Sequence, residues 1–118
     1  MVIEILIVDD ESDIRELTSG ILQDEGYQTR IAANSNEALS AVQARRPNLI
    51  LLDIWLQGSD LDGLGILKAI KAEHPTIPVL MMSGHGTIET AVTAIQLGAY
   101  DFIEKPFKAD LLILLVER

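Results

Sequence analysis

The sequence contains no cysteine, which excludes a disulfide framework and any thiolate metal site. Positive charge is scarce: nine Lys and Arg face 18 Asp and Glu across 118 residues, for a formal charge of −9. Affinity for nucleic-acid backbones rests on Lys and Arg neutralising phosphates, so this segment is not expected to bind nucleic acid directly. No apolar run approaches the ~20 residues of a membrane span, and Met1-Val2-Ile3-Glu4 lacks a basic n-region. The expectation is a cytoplasmic segment without membrane contact. Linkers, repeats and low-complexity tracts are also missing. What is present is a 48% hydrophobic chain, too apolar for disorder and of a length suited to one domain of ~100–150 residues.

Short apolar runs alternate with amphipathic stretches. Ile3-Glu4-Ile5-Leu6-Ile7-Val8 is β-branched, nearly continuous and stops at acids, as a strand buried on both faces does. Residues 12–25 set Ile14, Leu17, Ile21 and Leu22 at helical spacing, with Gly26 as a stop. A strand is expected at 28–32. Asn34-Ser35-Asn36-Glu37 then carries an Asn cap with Glu three residues on, and Pro47 ends the helix that follows. Leu49-Ile50-Leu51-Leu52 is a second buried strand ending at Asp53.

The cycle continues. Asp62-Gly63 opens a helix with Leu64, Leu67 and Ile70 on one face, and Pro78-Val79-Leu80-Met81-Met82 follows as a strand. Gly84-His85-Gly86 leads into a helix carrying Ile88, Val92 and Ile95, stopped by Gly98. Tyr100-Asp101-Phe102-Ile103-Glu104 alternates like a strand, and a last helix starts at Lys108. Five βα units predict an α/β fold: a parallel sheet with helices on both faces, since parallel strands need crossover connections. In the last helix Leu111-Leu112-Ile113-Leu114-Leu115-Val116 is apolar almost all round. That predicts an interface on its outer face and a chain that is a fragment of a longer one.

Ligands of open parallel sheets collect at the carboxyl ends of the strands. The first strand ends in Asp9, Asp10 and Glu11, the third in Asp53, the fourth in Ser83, and the fifth in Lys105-Pro106. Converging carboxylates repel one another, and each raises its neighbours' pKa unless a cation intervenes. Mg2+ suits one or two carboxylates plus a phosphate oxygen. Lys105 and Ser83 are a point charge and a hydrogen-bond donor of the kind that steadies a phosphoryl group, and Asp can itself form an acyl phosphate. Taken singly, each group has a plainer reading: Asp10 or Ser12 as a helix cap, Ser83-Gly84 as a turn, Lys105-Pro106 as a solvated loop. Together, four strand ends delivering compatible groups to one rim favour a Mg2+-dependent phosphoryl acceptor at Asp53. His74 is expected at the surface and His85 near the rim. With two histidines and no cysteine, a transition-metal site is not expected.

The segments Ile5-Leu6-Ile7-Val8-Asp9-Asp10-Glu11, Leu49-Ile50-Leu51-Leu52-Asp53, Met81-Met82-Ser83-Gly84-His85-Gly86 and Gly98 to Phe107 resemble a two-component response-regulator receiver domain. The likeness spans the whole chain, residues 1–118, and is strongest to the nitrogen-regulation (NtrC/NtrX-type) subfamily. The resemblance implies a flavodoxin-like (CheY-like) doubly wound sheet of five parallel strands in the order 2-1-3-4-5. It implies transfer of a phosphoryl group from a sensor histidine kinase onto Asp53, by a module that is an acceptor and not a turnover enzyme. It further implies Mg2+ held by Asp10, Asp53 and the backbone carbonyl of Trp55, with Asp9 acting through water. By the same resemblance Ser83 and Lys105 would contact the phosphoryl oxygens, the Lys105–Pro106 bond would be cis, and Ser83 with Tyr100 would form the switch. Homodimerisation through the fourth helix, fifth strand and fifth helix is expected, with control of an output domain, as a transcription regulator, in a longer protein.

One stretch departs from the family pattern. Receivers usually carry Met-Pro at the third and fourth positions after the phosphorylated Asp; here those are Leu56 and Gln57. Gln57-Gly58-Ser59-Asp60-Leu61 then adds about two residues before Asp62-Gly63. The competing functions fit less well. A dehalogenase-like phosphatase needs a second Asp where Trp55 stands, and a flavodoxin-type carrier would meet Asp9-Asp10-Glu11 with its anionic phosphate. A receiver-like interaction module that takes no phosphate remains the alternative. The single tryptophan, Trp55, is expected at the mouth of the site.

Overall fold

The β-branched run after Glu4 forms strand β1 (Glu4–Val8), and every residue of it is buried. The computed structural model describes residues 2–84 and 88–117. Helix α1 (Ser12–Asp24), β2 (Gln28–Ala32), α2 (Ser35–Ala44), β3 (Leu49–Asp53) and α3 (Gly63–Glu73) follow. The chain then runs through β4 (Val79–Ser83), α4 (Ile88–Gln96), β5 (Asp101–Glu104) and α5 (Ala109–Val116). All pairings are parallel, and the strand order is 2-1-3-4-5. This is the doubly wound α/β fold the sequence predicts. Of the Gly84-His85-Gly86 lead-in to α4, His85 and Gly86 lie outside the described residues.

Strand alternation sorts the aliphatic residues into two cores. Leu6, Val8, Ile50, Leu52, Val79 and Met81 meet α2, α3 and α4 on one face of the sheet. Ile5, Ile7, Leu49, Leu51, Leu80 and Met82 meet α1 and α5 on the other. The central strands are thus apolar on both sides, as parallel strands covered by helices must be.

Two helices turn differently from the predicted faces. In α1 the inward positions are Thr18 and Leu22, and Leu17 is 56% exposed. In α4 the small Ala91 and Ala94 pack inward, which leaves Val92 and Ile95 exposed. Small residues let a helix lie close to the sheet, so the bulky ones are carried on its outside. In α5, Leu112 and Leu115 are buried, whereas Leu111 and Leu114 face outward, as the excess of apolar residues there predicts.

Local chemistry fixes the helix ends that matter to the site. Asn34 caps α2 by accepting from Glu37 N–H (2.9 Å), and Glu37 Oε1 accepts from Ala33 N–H (2.9 Å), close to a capping box. Asp62 caps α3 through Gly65 N–H (2.8 Å). At Gly63 a Cβ would lie 2.0 Å from the carbonyl oxygen of Asp53 and 2.6 Å from Cα of Ile54. Glycine is therefore what lets α3 begin directly against the end of β3. At the opposite end of the sheet, buried Glu4 accepts from Arg30 Nε (2.8 Å) and from Arg45. Arg30 also donates to the carbonyls of Ala41 and Arg45 at the end of α2. The hydrogen bond from Arg45 is the main influence holding the Glu4 carboxyl below its ordinary pKa, with the Arg30 charge adding to it against the cost of burial.

Candidate functional site

The carboxyl ends of β1 and β3 stand side by side, since Val8 is level with Leu52 in the sheet. Asp9 follows β1 directly and Asp53 ends β3. Oxygen atoms of Asp9, Asp10 and Asp53 lie within 4.8 Å of one another. Asp9 is 0% and Asp53 3% exposed, and Asp10 is half-buried. Lys105, one residue past β5, donates from Nζ to Asp9 Oδ2 (2.9 Å) and to Asp53 Oδ2 (3.2 Å). Three chain segments distant in sequence therefore deliver their charged groups to one point, as the strand-end reading predicts.

Each carboxylate is oriented by backbone. Asp9 Oδ1 accepts from Glu11 N–H (2.9 Å), and Arg15 donates to the Asp9 carbonyl (2.8 Å). Asp10 caps nothing: the residue preceding α1 is Glu11, with no side-chain cap. Instead Asp10 Oδ2 accepts from Gln57 N–H (3.2 Å). The backbone N–H of Trp55 faces the Asp53 carboxylate and favours its charged form. The Lys105–Pro106 peptide is cis, as expected.

Burial pushes the Asp53 carboxyl up, from an ordinary 3.8 to about 6, and the Asp9 charge adds to the effect against the pull of Lys105. Burial also disfavours the Lys105 charge, but the hydrogen bond to Asp9 and the charges of Asp53 and Asp9 outweigh it and raise its pKa. One ammonium thus compensates a cluster of three acids, which leaves net negative charge facing a cleft. A hard cation with oxygen ligands fits that remainder.

The cleft is open and has a volume of about 450 Å3. Asp10, Asp53 and Lys105 lie at its floor, with Ile14, Trp55, Gln57, Gly84 and Pro106 around them. Trp55 is 54% exposed, so its ring stands at the mouth of the site as predicted. The Ser83 hydroxyl is buried and has no hydrogen-bond partner among the described residues. A buried hydroxyl without a partner is costly unless an acceptor arrives.

Tyr100 is placed differently from the expected relay. Its N–H bonds the Val79 carbonyl, which sets it level with the start of β4, four residues from Ser83. Its ring lies on the α1 and α5 side of the sheet, and its hydroxyl donates to the Leu115 carbonyl (2.8 Å). Ser83 shares the parity of Val79 and Met81 and so faces the α4 side. The geometry therefore does not support a direct hand-over from Ser83 to Tyr100. The aromatic on the side of Ser83 is Phe102, paired with Met81 and packed against the core beneath α4. Tyr100 precedes β5, so the strand alternation that places Phe102 does not extend to it. Two groups beside the site were not singled out from the sequence, Phe102 and the Gln57 backbone amide. Its place inside β5, two residues before Glu104 and level with Met81, is what finds Phe102; a backbone donor leaves no signal.

The response regulator receiver domain model matches residues 5–117. The chain belongs to that family. The nitrogen assimilation regulatory protein NtrX of Azorhizobium caulinodans is 65% identical over 115 residues, covering 98% of this chain and 25% of that protein. The DNA-binding transcriptional regulator NtrC of Salmonella typhimurium is 41% identical over 112 residues, 95% of this chain and 24% of its own. The crystal structure of the receiver domain of NtrX from Brucella abortus superposes with a TM-score of 0.94 at 65% identity, covering 97% of this chain and 95% of that one. This receiver domain is thus of the NtrX/NtrC type, and it spans about a quarter of the length of the curated relatives it matches. Receiver domains are signalling modules, not turnover enzymes. They hold Mg2+ at an acidic pocket, and Asp9, Asp10 and Asp53 make the acidic group here. Among the described residues no helix is long and apolar enough to cross a membrane.

Proposed function

We propose that this receiver accepts a phosphoryl group on Asp53 from the phosphohistidine of a sensor histidine kinase, and that the modified state controls the output of a longer, cytoplasmic regulator. The observation that carries this reading is the environment of Asp53. Its carboxylate is buried, bonded to Lys105, flanked by two more acids, and open to a cleft.

The arrangement supports an in-line displacement. One Asp53 carboxylate oxygen attacks phosphorus, the P–O bond forms as the P–N bond breaks, and the departing imidazole takes its proton from solvent. Lys105 already bridges Asp53 and Asp9, so its ammonium stays beside the transferred group and balances charge on an equatorial oxygen. The unpaired Ser83 hydroxyl supplies a donor to another. Asp10, Asp53 and the Trp55 carbonyl would hold Mg2+, with Asp9 acting through water, and the ion would supply charge neutralisation for the transferred group. Arg15 and the Glu11 amide keep the Asp9 loop in place throughout.

Once Ser83 is drawn to the phosphoryl group, β4 and the start of α4 shift with it, and Phe102 is the side chain positioned to follow. Tyr100 acts at the far end, through its bond to α5. The outer faces of α4 and α5 carry exposed Val92, Ile95, Leu111 and Leu114, apolar surface suited to a second copy of the chain. Phosphorylation is read as favouring that homodimer. Intact-mass measurement after incubation with Mg2+ and acetyl phosphate tests the chemistry. One phosphate gained by wild type, and none without Mg2+, is the expected result; no gain sustains the alternative of an interaction module that takes no phosphate. Sedimentation with beryllofluoride tests the dimer, and a strict monomer at high concentration refutes it.

A further inference from the structure

The residues that lengthen the loop after β3 are tied to the start of α2. Ser59 Oγ accepts from Ser35 N–H (2.8 Å) and donates to the Leu61 carbonyl (2.6 Å). Leu61 N–H in turn donates to Ser35 Oγ (3.2 Å), and Asn36 reaches Asp60 Oδ2 (3.4 Å). Ser35 is the first residue of α2 and is 1% exposed, so its N–H is one of the donors a helix start leaves without an internal partner. The loop side chain fills that vacancy, and the exchange runs in both directions. At the other arm of the loop, Gly58 turns the chain at φ +71, and Gln57 N–H meets Asp10 Oδ2.

We infer that Ser59 is a positioning residue for the acidic site: by latching the extended loop to α2, it holds the Gln57 amide on Asp10 and so sets the Asp10 carboxylate for a divalent cation. This deepens the Mg2+-dependent reading above and rests on it. Four points define the chain between Asp53 and α3. The Trp55 amide faces Asp53, while the Gln57 amide bonds Asp10, Ser59 bonds Ser35, and Gly63 N–H bonds the Ile54 carbonyl (2.8 Å). A shorter loop stiffened by proline would fix the middle of this path by covalent restraint. Here Gln57 stands at the usual Pro position, and hydrogen bonds to α2 take over that work. A carboxylate has about four lone-pair sites, so the amide on one oxygen orients Asp10 and leaves room for a cation. Partners that orient a metal ligand are typically worth about 10–100-fold in metal affinity.

The test is Mg2+ binding to the whole chain, followed by Trp55 fluorescence and checked by calorimetry, for wild type, Ser59→Ala and Ser59→Thr. The Ala variant should bind Mg2+ about tenfold more weakly, in line with the loss of an orienting partner, while Thr retains near wild-type affinity. In the Ala variant the Gln57 amide should exchange with solvent faster while amides of β1 and β3 keep their protection, a pattern that general destabilisation does not produce. Equal Mg2+ affinity in wild type and Ser59→Ala overturns the latch and leaves the phosphoacceptor reading intact. Thr failing as badly as Ala shows that the hydroxyl is not the cause, and also overturns it. Wild type with no Mg2+ response overturns the latch together with the reading beneath it.

Discussion

Replacing Asp53 by Asn should make the metal-free protein more stable, although it removes the proposed phosphoacceptor. Asn is close in shape to the neutral acid and keeps an oxygen that can accept from Lys105. The folded protein holds Asp53 with a pKa of about 6 against an ordinary 3.8. At 1.36 kcal/mol per unit, ionising this carboxyl costs the folded state about 3 kcal/mol. Because the folded pKa lies above the unfolded one, the folded state binds the proton more tightly. Stability therefore falls as pH rises through the window from about 4 to 6 and levels off above it. The difference between Asp53→Asn and wild type should be near zero at pH 4 and about 3 kcal/mol in favour of Asn at pH 7. With an m-value of about 2 kcal/mol/M, that is a urea midpoint raised by roughly 1.5 M. Parallel urea titrations followed by circular dichroism, with chelator and at several pH values, measure it, and groups common to both proteins cancel in the difference. Mg2+ should narrow the gap, since at ten times its Kd a ligand that binds only the folded wild type adds about 1.4 kcal/mol. Asn that destabilises at pH 7 in chelator, or a gap that ignores pH, refutes the reasoning.

Three further outcomes follow from particular contacts. Gly63→Ala places a Cβ 2.0 Å from the Asp53 carbonyl oxygen, so α3 must move; a loss of about 1–3 kcal/mol is expected by denaturation, and a change under about 0.5 kcal/mol contradicts the close approach. Glu4→Gln removes the carboxylate shared by Arg30 and Arg45 and should cost about 2 kcal/mol at neutral pH. Glu4 titrates below its ordinary value of 4.5 in the folded state, so this contribution is present above that pH and disappears as pH falls through the folded value; a loss that persists unchanged into acid counts against it. Trp55→Ala opens the mouth of the cleft and should shorten the lifetime of the acyl phosphate if the ring shields it from water, measured as the rate of phosphate loss after the donor is removed; an unchanged lifetime shows that the ring only packs against the loop.

Much of the architecture was readable because parallel strands covered on both faces leave near-continuous aliphatic runs, and Ile5 to Val8, Leu49 to Leu52 and Val79 to Met82 are such runs. The site was readable for a related reason: fold rules send ligands to strand ends, where Asp9, Asp53, Ser83 and Lys105 stand. What local pattern does not encode is which side of an element faces in. Helix α4 offers Ala and bulky aliphatic residues on adjacent stripes, and the sheet takes the small ones. Likewise Tyr100 and Phe102 look equivalent in the sequence, but β5 begins at Asp101, so only Phe102 follows the alternation of the sheet. The Gln57 amide on Asp10 depends on the path of a loop and has no side-chain signature.

The central claim is that Asp53 itself receives the phosphoryl group. Treating the protein with Mg2+ and acetyl phosphate, trapping the acyl phosphate with borohydride and sequencing the peptides by mass spectrometry tests it directly, because reduction of an aspartyl phosphate leaves homoserine in its place. Homoserine at position 53 and at no other aspartate is the predicted result. Label at Asp9, Asp10 or elsewhere, or a trapped product that persists in Asp53→Asn, contradicts it.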